Sequence, residues 1–249
     1  MLFSIITVTY NAEKVLERTI RSVLSQTYSQ VEYIVVDGNS SDKTKEIIEQ
    51  YADGISCRIS EPDRGLYDAM NKGLRLATGD YVWFLNAGDT LHSKATVEEV
   101  VRGIPPATNL PDIIYGETSL VDMDEQFVAP RRLKAPKMLT WRSFSMGMMV
   151  CHQSFIAKRS LAPAYNLRYP LVADFDWCIR CLKQAAYVHN AHLILSDFLT
   201  EGLSSQKRKA SLKERFRIMS YYYGLLPTVF CHVWFALRFY AARLLGRQI

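Results

Sequence analysis

The segment Phe3-Ser4-Ile5-Ile6-Thr7-Val8-Thr9 is rich in apolar and β-branched residues. Runs of this kind are typical of strands that are buried on both faces, as in parallel sheets. Further apolar runs at 31–36, 55–59 and 81–85 follow it, and helical patterns separate them. This alternation predicts an α/β fold with a Rossmann-like, mostly parallel central sheet and helices on both faces.

The composition is that of a folded protein that favours acidic ligands. Of the 249 residues, 49% are hydrophobic, and the net charge is +5. This balance suits nucleotide phosphates or anionic lipid, and no nucleic acid is expected as a partner. The five cysteines form an odd set without the spacing of a secreted domain, which favours a reducing, cytoplasmic location.

The chain is predicted to have two parts. Residues 1–205 are expected to form one globular domain, and residues 206–249 a helical tail that is both basic and apolar. The tail is predicted to form amphipathic helices that are too charged to span a bilayer comfortably. It suits the interface at the inner face of the cell membrane. The alternatives are packing on the core or on a second subunit, as in a homodimer.

The predicted strands end in polar clusters, which include Thr9, Tyr10, Asn11, Asp37, Asn86 and Asp89. Ligands of parallel α/β sheets collect outside the carboxyl ends of the strands, so these clusters predict one ligand site. The sequence contains neither G-x-G-x-x-G nor G-x-x-x-x-G-K, which weakens dinucleotide and P-loop interpretations.

Three of these strand-end residues suggest particular ligands. Asp89 can offer hard oxygen to Mg²⁺ or Mn²⁺, and Asn86 can position a water or a sugar hydroxyl. Asp37 can accept a hydrogen bond from an imide N–H such as that of uracil. The alternative is that these residues only shape turns or cap helices.

Four further residues are candidates for substrate or metal binding. Arg64 can neutralise a diphosphate or stack on a base, or it can be a solvated surface charge. Asp68 and Asn71 share a helix face and can meet sugar hydroxyls, or they can be exposed polar positions. His152 can ligate metal or bind phosphate, although a lone histidine is more often structural.

Two carboxylates, Asp174 and Asp176, lie at the start of a predicted helix. The functional interpretation makes Asp174 a general base. The alternative is helix capping by Asp174 and stabilisation of the helix dipole by Asp176. Only one of two carboxylates two positions apart can face a site.

Six segments carry a resemblance to a known family: Phe3–Asn11, Val35–Thr44, Glu61–Gly73, Phe84–Asp89, His152–Gln153 and Ala173–Asp176. In this order and combination they resemble the family 2 glycosyltransferases with a GT-A fold. The resemblance is strongest to the bacterial enzymes that build exopolysaccharides such as colanic acid. It extends over about residues 1–205.

The resemblance implies transfer of a hexosyl or deoxyhexosyl group, with inversion, in the synthesis of cell-surface polysaccharide. The donor would be a nucleotide-diphosphate sugar, and the acceptor a hydroxyl of a glycan or of a polyprenyl-linked glycan. A divalent metal, Mg²⁺ or Mn²⁺, would assist. Asp174 would deprotonate the acceptor. The residues expected to bind the donor are Thr9, Tyr10, Asn11, Asp37, Arg64, Asp68, Asn71 and Asn86.

The metal site implied by the resemblance has an unusual donor set. Asp89 would bind the metal and the diphosphate, and His152 is a second candidate ligand. The family motif is richer in aspartate, and Asn86 and Gly88 replace two potential carboxylates here. The metal affinity is therefore predicted to be modest, with most of the coordination coming from the nucleotide.

Two other functions compete with glycosyl transfer. A nucleotidyltransferase that makes nucleotide sugars would carry a Gly-rich, basic loop after the first strand, and Tyr10-Asn11-Ala12-Glu13 is not one. A non-catalytic nucleotide-binding subunit is compatible with the reduced metal motif. The presence of both Asp89 and Asp174 argues against it.

Overall fold

The structure, a computed structural model, describes residues 1–106, 109–200 and 208–244. The predicted boundary between residues 205 and 206 lies outside the described residues. The strands are β1 Phe3–Thr9, β2 Val31–Asp37, β3 Cys57–Ser60, β4 Tyr81–Phe84, β5 Thr90–Leu91, β6 Ile113–Val121, β7 Phe127–Pro130, β8 Phe155–Lys158 and β9 Val188–Leu199. The α-helices are α1 Leu16–Leu24, α2 Thr44–Gln50, α3 Leu66–Leu76, α4 Thr96–Gly103, α5 Ala173–Gln184, α6 Arg208–Tyr223 and α7 Leu225–Leu244.

The strands form one mixed sheet in the order β3-β2-β1-β4-β8-β6-β9-β5, with β7 paired to β6. The first four strands are parallel, and Ile5 on β1 lies between Tyr33 on β2 and Trp83 on β4. Beyond β4 the pairs β4–β8, β8–β6 and β9–β5 are antiparallel, whereas β6 and β9 are parallel. The predicted α/β class is confirmed, and its parallel part is the amino-terminal half.

The sheet has an apolar layer on each face. Alternate residues of a strand point to opposite faces, so Ile5 joins one buried cluster and Ile6 the other. Helices α1, α2 and α4 contribute to the cluster that contains Ile5. Helices α3, α5 and α6 contribute to the cluster that contains Ile6. The prediction of helices on both faces is confirmed.

Helix α6 packs on the core rather than standing apart from it. Its residues Ile218 and Met219 are fully buried. The backbone N–H of Leu171 donates to Glu214 over 3.0 Å, and the ring of Tyr223 stacks on Trp141 with centroids 5.6 Å apart. For α6, the alternative of packing on the core therefore describes the structure.

Helix α7 is apolar on two opposite sides. Its inner side carries the buried Thr228 and the partly buried Cys231 and Phe235. Its outer side exposes large apolar side chains, which we call the α7 outer face: Leu225, Leu226, Val229, Phe230, Val233, Trp234 and Leu237. The two tail helices that were predicted are present, and their amphipathic character stays a prediction. Among the described residues, no helix has the length and apolarity needed to cross a membrane.

A single glycine joins the two last helices. Gly224 separates α6 from α7 and has a φ of 87°. This left-handed conformation is accessible to glycine at little cost, because glycine has no Cβ. The Gly224 N–H donates to the Ser220 carbonyl over 3.1 Å, as expected where a helix ends.

Helix α3 lies close to β1 because one of its residues has no side chain. A Cβ at Gly73 would overlap the Cγ2 methyl of Ile6, which is fully buried and cannot move away freely. Gly73→Ala is therefore expected to lower the free energy of unfolding by about 1–3 kcal/mol in urea denaturation. Gly103→Ala is the matched control, since nothing lies within 4 Å of its Cβ position. Equal stability of the two variants would contradict this account of the packing.

Candidate active site

The loops that follow β1 and β2 are tied to each other. The Asn11 N–H donates to Ser40 Oγ over 2.8 Å, and the Asn11 side-chain oxygen accepts from the Ser41 N–H over 2.9 Å. Asn11 adopts a φ of 47°, which asparagine tolerates better than most residues. These bonds fix the strand ends before any ligand binds, and Tyr10 beside them is 62% exposed.

Asp37 lies at the end of β2, as predicted, and anchors the turn that follows. Its side chain is fully buried. One carboxylate oxygen accepts from the Ser40 N–H over 3.0 Å and from the Ser60 hydroxyl over 2.6 Å, and the other accepts from the Ser40 hydroxyl. These contacts are those of the turn-shaping alternative, and base binding by Asp37 stays a prediction.

Asp63 occupies the space that a side chain at position 38 would fill. Its Oδ2 atom lies where a Cβ of Gly38 would be, and Tyr10 Cδ2 is 3.3 Å from the same point. Its Oδ1 atom accepts from the Gly65 N–H over 2.8 Å. No role was predicted for Asp63 from the sequence. The sequence does place a glycine directly after Asp37 and an aspartate shortly after β3, and these two features together could have indicated that the aspartate packs against the glycine.

Two side-chain oxygens at the strand ends are buried without a hydrogen-bond partner among the described residues. They are Thr9 Oγ1, at the end of β1, and Asn86 Oδ1, just after β4. Most buried polar atoms in proteins are paired, so an unpaired one marks a place for a ligand or a water. Both residues were predicted to face the donor.

Asp89 holds β9 rather than an open coordination site. It is 4% exposed. Its Oδ1 accepts from the Leu199 N–H over 3.0 Å, and its Oδ2 accepts from the Gln153 amide over 2.7 Å. Burial raises the pKa of Asp89 to about 7, and these two hydrogen bonds lower it only in part. The predicted role of Asp89 as a metal ligand is not supported, because both oxygens are occupied by protein donors.

His152 lies in an aromatic cluster. Its Nε2 is 2.7 Å from the Tyr165 hydroxyl, and its ring centroid is 5.4 Å from Phe84 and 5.5 Å from Trp177. Burial lowers the pKa of His152 to about 4, so the ring is neutral at pH 7. The predicted metal or phosphate role is not supported, and the structural alternative fits.

The predicted metal ligands do not come together. Over residues 1–106, 109–200 and 208–244 there is no group of three or more histidine, cysteine or acidic side chains that could hold an ion. The two predicted ligands, Asp89 and His152, are both hydrogen-bonded within the protein, and the unpaired oxygen of Asn86 is an amide. One amide oxygen without a free carboxylate is a poor donor set for Mg²⁺ or Mn²⁺, so these residues do not fit the metal that the family resemblance implies.

The residues predicted on and before α3 have separate roles. Arg64 is exposed, and its guanidinium lies 3.3 Å from the carboxylate of Asp68, which is largely buried. Asn71 is buried and exchanges two hydrogen bonds with the backbone of Tyr165, at 3.0 and 2.6 Å. Both polar atoms of the Asn71 side chain are thus bonded within the protein, its assignment to sugar hydroxyls stays a prediction, and the exposed Arg64 can reach a ligand.

Asp174 has the geometry of a general base. It lies in the first turn of α5 and is half-buried. Its Oδ1 accepts from the Tyr67 hydroxyl and from the Phe175 N–H, both over 2.9 Å. Its second oxygen accepts no hydrogen bond from the described residues. Asp176, by contrast, is saturated by Arg180 and Tyr222 at 2.7 and 2.8 Å.

Asp89 and Asp174 are linked by a chain of side-chain contacts. The Gln153 amide donates to Asp89, and His152, the residue before Gln153, has its Nε2 2.7 Å from the Tyr165 hydroxyl. The Tyr165 ring stacks on Tyr67, whose hydroxyl donates to Asp174. Of the two carboxylates, only Asp174 keeps an oxygen without a hydrogen bond from the described residues.

The comparisons with known sequences identify the class of protein. Residues 4–162 match the family described as Glycosyl transferase family 2. A PGL/p-HBAD biosynthesis glycosyltransferase of Mycobacterium bovis is 33% identical over 205 residues, which cover 79% of this chain and 76% of the relative. The chain therefore belongs to family 2 of the glycosyltransferases.

A second relative has a lipid-linked acceptor in its name. The Escherichia coli UDP-Glc:alpha-D-GlcNAc-diphosphoundecaprenol beta-1,3-glucosyltransferase WfgD is 30% identical over 142 residues, or 55% of each chain. The match thus spans about half the length of this relative.

Solved structures of glycosyltransferases share the fold. TarS of S. aureus in complex with UDP-GlcNAc superposes with a TM-score of 0.69 at 18% identity, covering 88% of this chain and 64% of that one. The mannosyltransferase PcManGT of Pyrobaculum calidifontis, in complex with GDP-Man and Mn²⁺, gives 0.62 at 17% identity, covering 99% and 76%. The predicted GT-A fold is confirmed.

Asp89 predicts a pH dependence of stability. Its folded pKa of about 7 lies above the unfolded value. The stabilisation that protonated Asp89 gives to the folded state is therefore complete below about pH 4 and is lost as the pH rises through 7. The free energy of unfolding falls by up to ~1.4 kcal/mol per pH unit over this range. Asp89→Asn should remove this slope in urea unfolding between these pH values, with chelator present. The exposed Asp53→Asn is the control, and parallel profiles for wild type and Asp89→Asn would contradict the prediction.

Proposed function

We propose that this chain transfers a hexosyl or deoxyhexosyl group from a nucleotide-diphosphate sugar to a hydroxyl of a glycan or lipid-linked acceptor, with inversion. The product would belong to a cell-surface polysaccharide. The observation that carries the proposal is the free second oxygen of Asp174, and the unpaired Thr9 Oγ1 and Asn86 Oδ1 at the strand ends offer further polar groups to a ligand. The name of the Escherichia coli relative, which refers to a diphosphoundecaprenol substrate, supports the same class of acceptor.

The donor nucleotide is proposed to bind over the ends of β1 and β2. Tyr10 offers an exposed ring on which a base can stack. Asp63, beside it, offers a carboxylate that can accept from an imide N–H. Thr9 and Asn86 would then meet donor hydroxyls or phosphate oxygens, and Arg64 is the nearby exposed cation for the diphosphate.

The chemical step needs one base. The acceptor hydroxyl transfers its proton to Asp174, and its oxygen attacks the anomeric carbon from the face opposite the diphosphate. The bond from that carbon to the phosphate oxygen breaks, and the nucleoside diphosphate leaves with the electron pair. A single displacement of this kind inverts the anomeric centre and requires no second carboxylate, unlike hydrolysis by paired acids.

Tyr67 orients the base without taking the proton. Its hydroxyl donates to Asp174 Oδ1 and leaves the second oxygen of that carboxylate for the acceptor. Burial raises the pKa of Tyr67 well above its usual value, and the charge of Asp174 adds to the effect. The hydroxyl therefore remains a donor throughout the working pH range.

Removing the base tests the catalytic proposal. Asp174→Asn keeps the shape and an acceptor for Tyr67 but cannot take a proton, so donor-dependent release of nucleoside diphosphate should fall about 10²- to 10⁴-fold. Thermal unfolding and nucleotide binding should stay close to wild type, and the exposed Asp124→Asn serves as control. If Asp174→Asn releases nucleoside diphosphate as fast as wild type, Asp174 is not the general base. Nucleotide binding without any turnover in wild type would favour the non-catalytic subunit.

The α7 outer face is proposed to dock on an anionic membrane surface. It presents Trp234 and Phe230 among other exposed apolar side chains. From residue 216 to residue 249 the sequence contains four arginines and no acidic residue. Aromatic and basic residues together match the boundary between headgroups and acyl chains. This location would bring the enzyme to an acceptor carried by a lipid.

Vesicle binding tests the docking proposal. The double variant Phe230→Ser, Trp234→Ser should bind vesicles of phosphatidylcholine and phosphatidylglycerol at least about 10-fold more weakly, because it removes two large apolar side chains from the interface. Phe127→Ser on β7, which replaces an equally exposed phenylalanine, is the matched control. If the double variant instead loses a homodimer in sedimentation velocity and keeps vesicle binding, the occupant is a second copy and the proposal fails.

A further inference from the structure

Helix α6 reaches the surroundings of the proposed base. The Leu171 N–H donates to Glu214 over 3.0 Å, and the Leu171 carbonyl accepts from the Tyr67 hydroxyl over 3.2 Å. The same hydroxyl donates to Asp174. The second turn of α6, the loop before α5 and the side chain that orients Asp174 therefore meet at one point.

Arg215 follows Glu214 on this helix and is held next to Asp174. Its guanidinium carbon lies 5.4 Å from the centre of the Phe175 ring, and Phe175 adjoins Asp174 in sequence. Its Nε atom is buried and has no hydrogen-bond partner among the described residues. No ion pair between Arg215 and a carboxylate is present in the described part of the chain. A buried N–H of a charged group without an acceptor is costly unless a ligand provides one.

A second arginine lies nearby but is already engaged. The guanidinium of Arg131 donates to the backbone carbonyls of Met148, at 2.5 Å, and Met149, at 3.2 Å. Burial lowers the pKa of Arg215, Asp174 opposes this effect, and Arg131 adds to it, so all three charges lie close together. Asp174 and Glu214 balance these two cations, so the feature that favours an anionic ligand is the unpaired Nε–H of Arg215 and not an excess of positive charge.

The anionic groups of the proposed substrates are phosphates. The donor carries a diphosphate that gains negative charge as it leaves, and a polyprenyl-linked acceptor carries another. Arginine binds phosphate oxygens through a planar set of N–H donors. The residues predicted to hold a cation for this purpose, Asp89 and His152, are occupied inside the protein. The positive charge for the leaving group must therefore come from the protein's own cations, and Arg64, which is exposed, is one of them.

We propose that Arg215 is a phosphate-binding residue of the active site, delivered by the C-terminal helix α6 to the side of Asp174. The inference rests on the proposed function, since that function supplies the phosphate groups. It makes α6 part of the substrate site, which is a role separate from membrane attachment. Arg215 binds and positions the substrate and takes no part in proton transfer.

Nucleotide and lipid diphosphate binding can be measured without turnover. Isothermal titration with UDP, GDP and farnesyl diphosphate, in the presence of EDTA, compares Arg215→Gln with Arg217→Gln. Arg217 lies on the same helix and is exposed, which makes it the matched control. Arg215→Gln is expected to lower the affinity for at least one of these probes by about 10-fold or more, because it removes a charge-assisted hydrogen bond to phosphate. Arg215→Lys should recover part of the loss.

The pattern of loss identifies the source of the phosphate. Weaker binding of UDP or GDP assigns Arg215 to the donor, and weaker binding of farnesyl diphosphate alone assigns it to the acceptor. Thermal unfolding of each variant checks that α6 remains docked. If folded Arg215→Gln binds all three probes as Arg217→Gln does, the proposal is overturned. Since no probe is turned over, this result is independent of whether Asp174→Asn loses activity.

Discussion

The carboxylate of Asp89 holds the two halves of the sheet together at the candidate site. Its hydrogen bond from the Leu199 N–H joins residues 110 positions apart in the chain, and its bond from Gln153 ties in the segment before β8. A buried carboxylate without such donors would cost several kcal/mol. The loop after β4 and the end of β9 are therefore held together, which also fixes the part of the candidate site that they form.

The sequence predicted the fold better than the site. A local apolar run such as Phe3–Thr9 is enough to predict a buried strand, so the parallel strands could be predicted from the sequence. The pairing of β8 between β4 and β6 depends on contacts between distant segments, and no local pattern reports it. The docking of α6 was missed for the same reason. Its buried residues Ile218 and Met219 lie in a segment whose charges suggested a solvent or membrane surface.

The candidate site residues fall into two groups: those whose polar atoms are already hydrogen-bonded within the protein and those that keep a free polar atom. Asp37, Asn71 and His152 have the chemistry of ligands, but internal donors and acceptors hold them. A sequence shows which residue types are present and cannot show whether a backbone N–H lies opposite. Asp174 remains a candidate base because its partner Tyr67 occupies only one of its two oxygens. Asp63 is a candidate only because the structure places its carboxylate in the space beside Gly38.

The family match covers only part of the proposed site. It ends at residue 162, so it includes the ends of β1, β2 and β4 but neither Asp174 nor Arg215. The proposed acceptor side is where members of one family can diverge while they keep a common fold. Within that side, Gly224 sets the angle between a helix anchored on the core and a helix with an apolar outer surface. A single residue without a side chain thus determines how far above a lipid layer, and at what tilt, the mouth of the cleft would be carried.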